Sequence, residues 1–292
     1  MSADELRVPR TPRPPLQQSG AGRFPLDRLL LLLPIAVLYG LLMLVPLSFI
    51  MKTSLARGFG HYREVLETPV LWRVVENTVV ISTLTTVISL ILAYVYAAAL
   101  WRSHSVFRIF LFGLIMLPFW TGVLVKNFAW AALLQDNGVI IGLLRAIGIE
   151  AQISLLHNRF AVILGMVHYV LPYAVFPIYS AMVAIDWRLV RAAQSLGASS
   201  RRAIVAVVVP LSLPGVLAAA LLTFIISTGF FITPVLLGGP RDMMVANLVD
   251  FYANDIVDFS NAAALAMLVV AAISILVIAY QRLPKEGQYG AL

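Results

Sequence analysis

Residues 77–101 read NTVVISTLTTVISLILAYVYAAALW, a stretch without a single charged side chain. At about 1.5 Å per residue, a helix of this length exceeds the roughly 30 Å hydrocarbon core of a bilayer. Backbone in lipid must satisfy its own hydrogen bonds, so the stretch predicts a membrane-spanning α-helix. Further uncharged runs lie at 29–51, 109–125, 160–185, 203–240 and 259–281, the second of them extending past Lys126 toward Leu134. The run from Ala203 is long enough for two spans. Pro210, Pro214, Pro234 and Gly238-Gly239-Pro240 punctuate it, however, and no polar loop divides it, so one span in its middle is expected. The sequence therefore predicts an all-α, polytopic membrane protein whose six transmembrane helices lie between residues 29 and 282.

Composition agrees. Of the 292 residues 61% are hydrophobic and 12% charged, where soluble domains carry about a quarter charged. Soluble enzymes, disordered chains and collagen-like chains are excluded. The absence of cysteine removes disulfides, thiolate metal sites and cysteine nucleophiles together. A net charge of +7 would raise the question of nucleic acid in a soluble protein; here it reads as arginines anchoring membrane loops, and no nucleic-acid partner is expected. Residues 1–28, with five arginines and Pro9, Pro12, Pro14 and Pro15, lack the apolar content to pack and are expected to form a disordered tail. The apolar run that follows is too long for a signal-peptide core and reads as an anchor. Residues 283–292 form a second short tail.

Placing both termini in the cytoplasm puts thirteen of the 21 Lys and Arg on the inner side, in 1–28, 102–108, 186–202 and 282–292. Nine of the 14 acidic residues then fall outside. This is the asymmetry that the positive-inside rule requires.

Several chemistries are missing. His61, His104, His157 and His168 have no partner at helical spacing for a metal, and a lone His168 inside a span reads as packed or hydrogen-bonded within the bundle. No carboxylate, lysine or arginine stands mid-span, which disfavours proton coupling. The three lysines, Lys52, Lys126 and Lys285, follow Met, Val and Pro rather than a glycine cradle, so the chain holds no P-loop. Neither catalytic residues nor a metal or cofactor are expected. Any ATP that drives transport must bind another subunit.

The loop 186–202 reads DWRLVRAAQSLGASSRR. At 100° per residue Leu189, Ala192, Ala193 and Leu196 share one face, and Arg188, Arg191, Gln194 and Ser195 another, giving a short amphipathic helix. Gly197 suits the left-handed residue that ends it, and Ser199 or Ser200 suits the cap of the next helix. Such a helix either rests on lipid headgroups or receives another protein.

The stretch Arg191-Ala-Ala-Gln-Ser-Leu-Gly197-Ala198, with Pro210 thirteen residues past the glycine and Pro214-Gly215 beyond, resembles the EAA loop of binding-protein-dependent ABC importer permeases. Leu117-Pro-Phe-Trp-Thr121, Asn127-Phe-Ala-Trp130, Leu133-Leu-Gln-Asp-Asn-Gly138 and Thr233-Pro-Val-Leu-Leu-Gly-Gly-Pro240 resemble the polyamine (spermidine/putrescine) branch. The resemblance covers roughly residues 29 to 282. It implies a type I importer permease of the bacterial inner membrane, both termini cytoplasmic, forming half of the pathway for a small, polyamine-like or related solute. The implied partners are a second similar permease, two ATP-binding cassette ATPase subunits and a soluble periplasmic binding protein. The implied coupling residues are Leu189, Arg191, Ala192, Ala193, Leu196, Gly197 and Ala198. One departure stands out, because the family's leading Glu is Arg191 here, which puts in doubt any salt bridge that Glu makes. On the residues alone, a stand-alone secondary transporter is the alternative.

Within 77–101, Thr78, Ser82, Thr85 and Ser89 fall on one helix face. The stripe either lines a polar pathway or packs helices closely. Asp242, Asp250, Asp255 and Asp258 crowd one outer loop, with Asp136 and Glu150 in another, and could meet a cationic substrate or be solvated charge. Lys126 with Trp120, Phe128 and Trp130 reads as an aromatic belt at the membrane interface.

Overall fold

The computed structural model describes residues 26–148 and 154–282. Most of the N-terminal tail, the tail 283–292 and Glu150 lie outside the described residues. The backbone is helical throughout, with no strand among the described residues. Residues 1–49 and 50–292 form two separate units. The first holds most of helix α1 (Leu26–Ser54), whose side chains from Leu33 to Val45 are largely exposed, as a lipid-facing helix requires.

The second unit begins with the end of α1, then α2 (Gly60–Glu67) and the long α3 (Pro69–Arg102). Next come α4 (Ser105–Met116), α5 (Val123–Leu134), α6 (Val139–Ala146) and α7 (Arg159–Val183). The loop region gives α8 (Trp187–Ser195) and α9 (Ser200–Ala203), and a π turn at Ile204–Val208 leads from α9 into α10 (Val209–Thr228). The chain closes with α11 (Ile232–Leu237), α12 (Val245–Asp250) and α13 (Phe259–Gln281). Five helices are long and apolar enough to cross a membrane, and a sixth span results if the bent α4–α6 segment counts as one.

That bent segment differs from the continuous span expected through Lys126 to Leu134. Its two halves meet at 97°. The physical cause is Pro118, which has no N–H to continue α4. Leu117 N–H closes α4 on Gly113 O, a single tight turn covers Pro118–Trp120, and Gly122 precedes the first residue of α5. A second difference is that the fifth span starts at Ser200, well before the middle of the run 203–240. The π turn before α10 and the position of Pro210 in its first turn, where no helical N–H partner is lost, let the helix pass both prolines. Thr228 ends the span, and Gly238-Gly239-Pro240 lies beyond α11.

The core is a three-helix wedge of α3, α7 and α10. The buried face of α3 runs Thr78, Ser82, Thr85, Ser89, Ala93, Ala97; that of α10 runs Ser212, Gly215, Ala219, Thr223, Ser227. Both are small residues at steps of three or four, the spacing that lets helices in lipid approach closely. Larger apolar side chains fill either end: Leu100, Ile178 and Met182 at the α8 end, and Ile81, Met166, Leu237 and Met244 at the other. α2, α12 and α13 add a smaller cluster around Val65, Leu71 and Leu265, with His61 Nδ1 and Asn261 Oδ1 3.1 Å apart.

Gly215 sets the closest approach. A Cβ there would lie 2.5 Å from Ala181 Cβ and 2.7 Å from Pro177 O of α7. Overpacking of this kind costs about 1–3 kcal/mol or more. Gly215→Val should therefore lower the thermal unfolding midpoint of the purified protein in detergent by several degrees. Gly113→Ala, with nothing within 4 Å of its added methyl, should leave the midpoint within a degree.

Candidate functional site

The loop 186–202 forms a short helix stopped at Gly197, as its sequence predicts, and the structure adds a cap at its start. The Asp186 carboxylate accepts the Arg188 N–H at 2.8 Å and caps α8. Gly197 takes φ +91°, and the N–H groups of Gly197 and Ala198 donate to Gln194 O and Ala193 O, the paired bonds of a left-handed helix stop. Ser199 then accepts the Arg202 N–H to begin α9, and Gln194 Nε2 donates to Ser200 Oγ at 3.2 Å across the corner.

α8 packs on the core along an edge beside the apolar face read from the sequence. Val190 is 2% exposed and Ala193 packs beside it in the core cluster of Leu100, Met182 and Ile185. Leu189, Ala192 and Leu196, which share that face with Ala193, are exposed, Leu196 at 90%. The cause is Trp187, whose indole stacks on Trp101 of α3 with centroids 4.5 Å apart and planes 2° from parallel. Trp187 and Val190 are three apart, so fixing one turns the other inward. An aromatic contact between two loops' ends leaves no spacing signal, and sequence reasoning missed it. The outcome is a helix anchored along one edge that offers Leu189, Ala192 and Leu196 beside the exposed Arg188 and Arg191. Among the described residues Arg191 has no ion-pair partner.

The hydroxyl stripe lies in the wedge. Ser82, Thr85 and Ser89 are 0% exposed, and their hydroxyls have no hydrogen-bond partner among the described residues, as is also true of Thr86 and Ser227. Thr78 differs, since its hydroxyl donates to Val74 O and accepts the Val245 N–H, each at 2.8 Å.

At the end of the wedge away from α8, polar groups tie three segments together. Arg159 Nη2 donates to Asn77 Oδ1 at 2.7 Å, and its Nε lies 3.4 Å from Asp242 Oδ1. Asn77 Nδ2 donates to Arg241 O, while Gly239 N–H donates to Asp242 Oδ2. A Cβ on Gly239 would meet His157 O at 2.6 Å, so glycine is needed for the loop to close there. Two of the three remaining acids of this loop also have local work, and Asp255 is exposed. Asp258 caps α13 and accepts from Asn261, and Asp250 accepts from Asn254 Nδ2.

Segments far apart in sequence meet around the bent span. Asn127 Nδ2 donates to Thr233 Oγ1 at 3.0 Å, and Leu134 and Leu237 share one apolar cluster. Trp130 Nε1 donates to His168 Nδ1 at 3.0 Å, which gives that histidine a structural partner. Of the residues read as an aromatic belt, Trp120 and Phe128 are strongly exposed, Trp130 is half-buried against His168, and Lys126 is only 9% exposed. Its ammonium lies 4.9 Å from the Tyr169 ring centroid. A desolvated contact of this kind is worth about 2 kcal/mol. Among the described residues no group of three or more His, Cys, Asp or Glu could hold a metal ion.

No family model matches the chain. It is 33% identical over 212 residues to the spermidine/putrescine transport system permease protein PotB of Haemophilus influenzae, covering 72% of this chain and 74% of that one. It is 28% identical over 237 residues to the inner membrane ABC transporter permease protein YdcU of Escherichia coli, covering 77% and 74%. In structure it matches a chain of a bacterial alginate ABC transporter, crystallised in complex with an alginate pentasaccharide-bound periplasmic protein. The TM-score is 0.72 at 16% identity, covering 89% of this chain and 95% of that one.

The orientation of α8 can be checked in this cysteine-free chain. A cysteine replacing Leu196 should react with a maleimide at least tenfold faster than one replacing Val190 in the detergent-purified protein. Equal rates would mean that Val190 is not the buried edge.

Proposed function

The chain belongs to the permease family of binding-protein-dependent ABC importers, and from that premise we propose how its parts serve import. As a multi-pass, non-catalytic transmembrane subunit, it leaves ATP hydrolysis to other chains. In this reading it forms half of a pathway in the bacterial inner membrane, paired with a second similar permease and with both termini cytoplasmic. A soluble periplasmic protein delivers the solute, and two ATPase subunits supply force. The cargo is a small polyamine-like solute, a reading supported by the relatives named for spermidine and putrescine.

The observation that carries the coupling step is the split face of α8. Trp187 and Val190 anchor the helix to α3 and the core, while Leu189, Ala192 and Leu196 stand free. An apolar edge flanked by arginines is suited to docking in a groove of an ATPase subunit. Arg191 would lie at the rim of that contact, with Ala193, Gly197 and Ala198 shaping the helix end. Closure of two ATPase subunits would then move α8, and through its anchors the wedge. The stripe Thr78, Ser82, Thr85 and Ser89 enters in a different role from an open lining. As a pathway surface it would have to be uncovered by movement of α3 against α7 and α10; closed, it is the surface on which those helices seat.

Two experiments test this. Leu196→Glu should leave the permease inserted but reduce copurified ATPase subunit at least fivefold, whereas full retention would refute docking through α8. Gly197→Val should cut ATP-coupled uptake at least fivefold because a β-branched residue disfavours φ +91°. Gly197→Asn, which tolerates that conformation better, should retain most of it. For orientation, a cysteine at Ser199 should resist an impermeant thiol reagent added from outside to intact cells, and ready labelling would reverse the topology.

A further inference from the structure

Lys126 is a buried cation that neither the docking helix nor the outer clamp uses. It sits one turn into α5, directly after the break at Pro118–Gly122, and no ion pair or hydrogen bond holds its ammonium among the described residues. What faces it is the Tyr169 ring, backed by further aromatic rings, with His168 near by. Tyr169, under the ammonium, stacks on Tyr173 at 5.9 Å and meets Phe230 edge-on at 4.9 Å. Tyr173 in turn contacts Phe119 of the break at 5.5 Å. Phe230 is buried, the two tyrosines are half-buried and Phe119 is exposed, so the cluster opens from the interior toward the break. The cluster opens on the irregular backbone at Pro118–Trp120, which at membrane depth would have to be met by protein or water.

A lysine side chain from Cβ to Nζ is a tethered butylammonium. The site that receives it has the chemistry of a primary alkylammonium receptor: aromatic faces for the charge and apolar edges for the methylenes. We propose that Tyr169, Tyr173, Phe119 and Phe230 form an alkylammonium subsite of the import pathway, of which Lys126 is the resting occupant, displaced by the cargo's own ammonium group. This rests on reading the cargo as a polyamine-like solute. Three of the four acids beyond α11, Asp242, Asp250 and Asp258, are engaged locally. An internal cation in the cage would also keep inorganic cations out while no cargo is present.

The test uses n-butylammonium as the probe, with saturation-transfer NMR on the permease pair in nanodiscs, and spermidine uptake by the complete importer in proteoliposomes. Lys126→Met should bind the probe at least tenfold more tightly than the unaltered protein. Adding Tyr169→Leu to Lys126→Met should abolish that binding, while adding Tyr169→Phe should preserve it, since only the π face is required. The neutral n-butanol should not compete. The proposal is overturned if Lys126→Met binds no better, if Tyr169→Leu and Tyr169→Phe behave alike, if n-butanol competes equally, or if a correctly assembled Lys126→Met importer transports nothing. Absence of spermidine uptake by the unaltered importer would sink the polyamine reading instead, and probe binding would still report on the cage.

Discussion

The approach of α10 to α7 at Gly215 is the constraint on which the rest of the second unit depends. Lipid tails are as apolar as leucine, so helices in a bilayer gain little by burying large side chains and associate through close contact and dispersion instead. Gly215 removes the side chain where α10 meets Pro177 and Ala181, and Ala219, Ser212 and Thr223 keep the same face shallow. α3 supplies a matching face of Thr78, Ser82, Thr85, Ser89, Ala93 and Ala97. The hydroxyls of Ser82, Thr85 and Ser89 lie in this seam with no hydrogen-bond partner among the described residues.

A wedge built this way is well suited to carry a displacement from end to end. At one end α8 is held by an indole stack to α3 and by Val190 to the core. At the other, Asn77 of α3, Arg159 at the start of α7 and Asp242 beyond α11 are joined by charge-assisted hydrogen bonds, which are stronger than neutral ones. Asn77 and Trp101 lie on one uninterrupted helix, so the two fastenings share a rigid element. Close-packed interiors shift between discrete arrangements rather than deforming smoothly, which is what a driven conformational cycle needs.

Much of this was legible in the residues. Uncharged runs located the membrane helices because hydrocarbon penalises charge so strongly that length alone decides. Gly197 and Ser199 were legible as stop and cap because capping is a local interaction between neighbours in sequence. The anchored edge of α8 was not, since Trp101 lies more than 80 residues before Trp187 and helical periodicity alone does not show which edge packs on the core. The 97° bend at Pro118 was not read from the residues either, and Lys126 beyond it read as an interfacial anchor until the fold buried it against Tyr169. Long-range contacts such as Trp101–Trp187 and Lys126–Tyr169 carry no periodic signature.

The same physics bears on where a solute can pass. Ser82, Thr85 and Ser89 are sealed within one subunit, so the most polar surface of α3 lines nothing while the wedge is closed. The bent span presents the opposite case. Between Leu117 and Gly122 the helix is interrupted, and Leu117, Phe119 and Trp120 are exposed. Backbone freed from helical pairing cannot face hydrocarbon without a cost of several kcal/mol per unsatisfied group. Another protein chain or water must therefore meet it. A single permease leaves that surface open, and a second one placed against it would enclose the break, the aromatic cluster behind it and the open end of the subunit's polar interior in one shared space. In the reading of the chain as half of a pathway, that shared space is where the interrupted helix would find its cover.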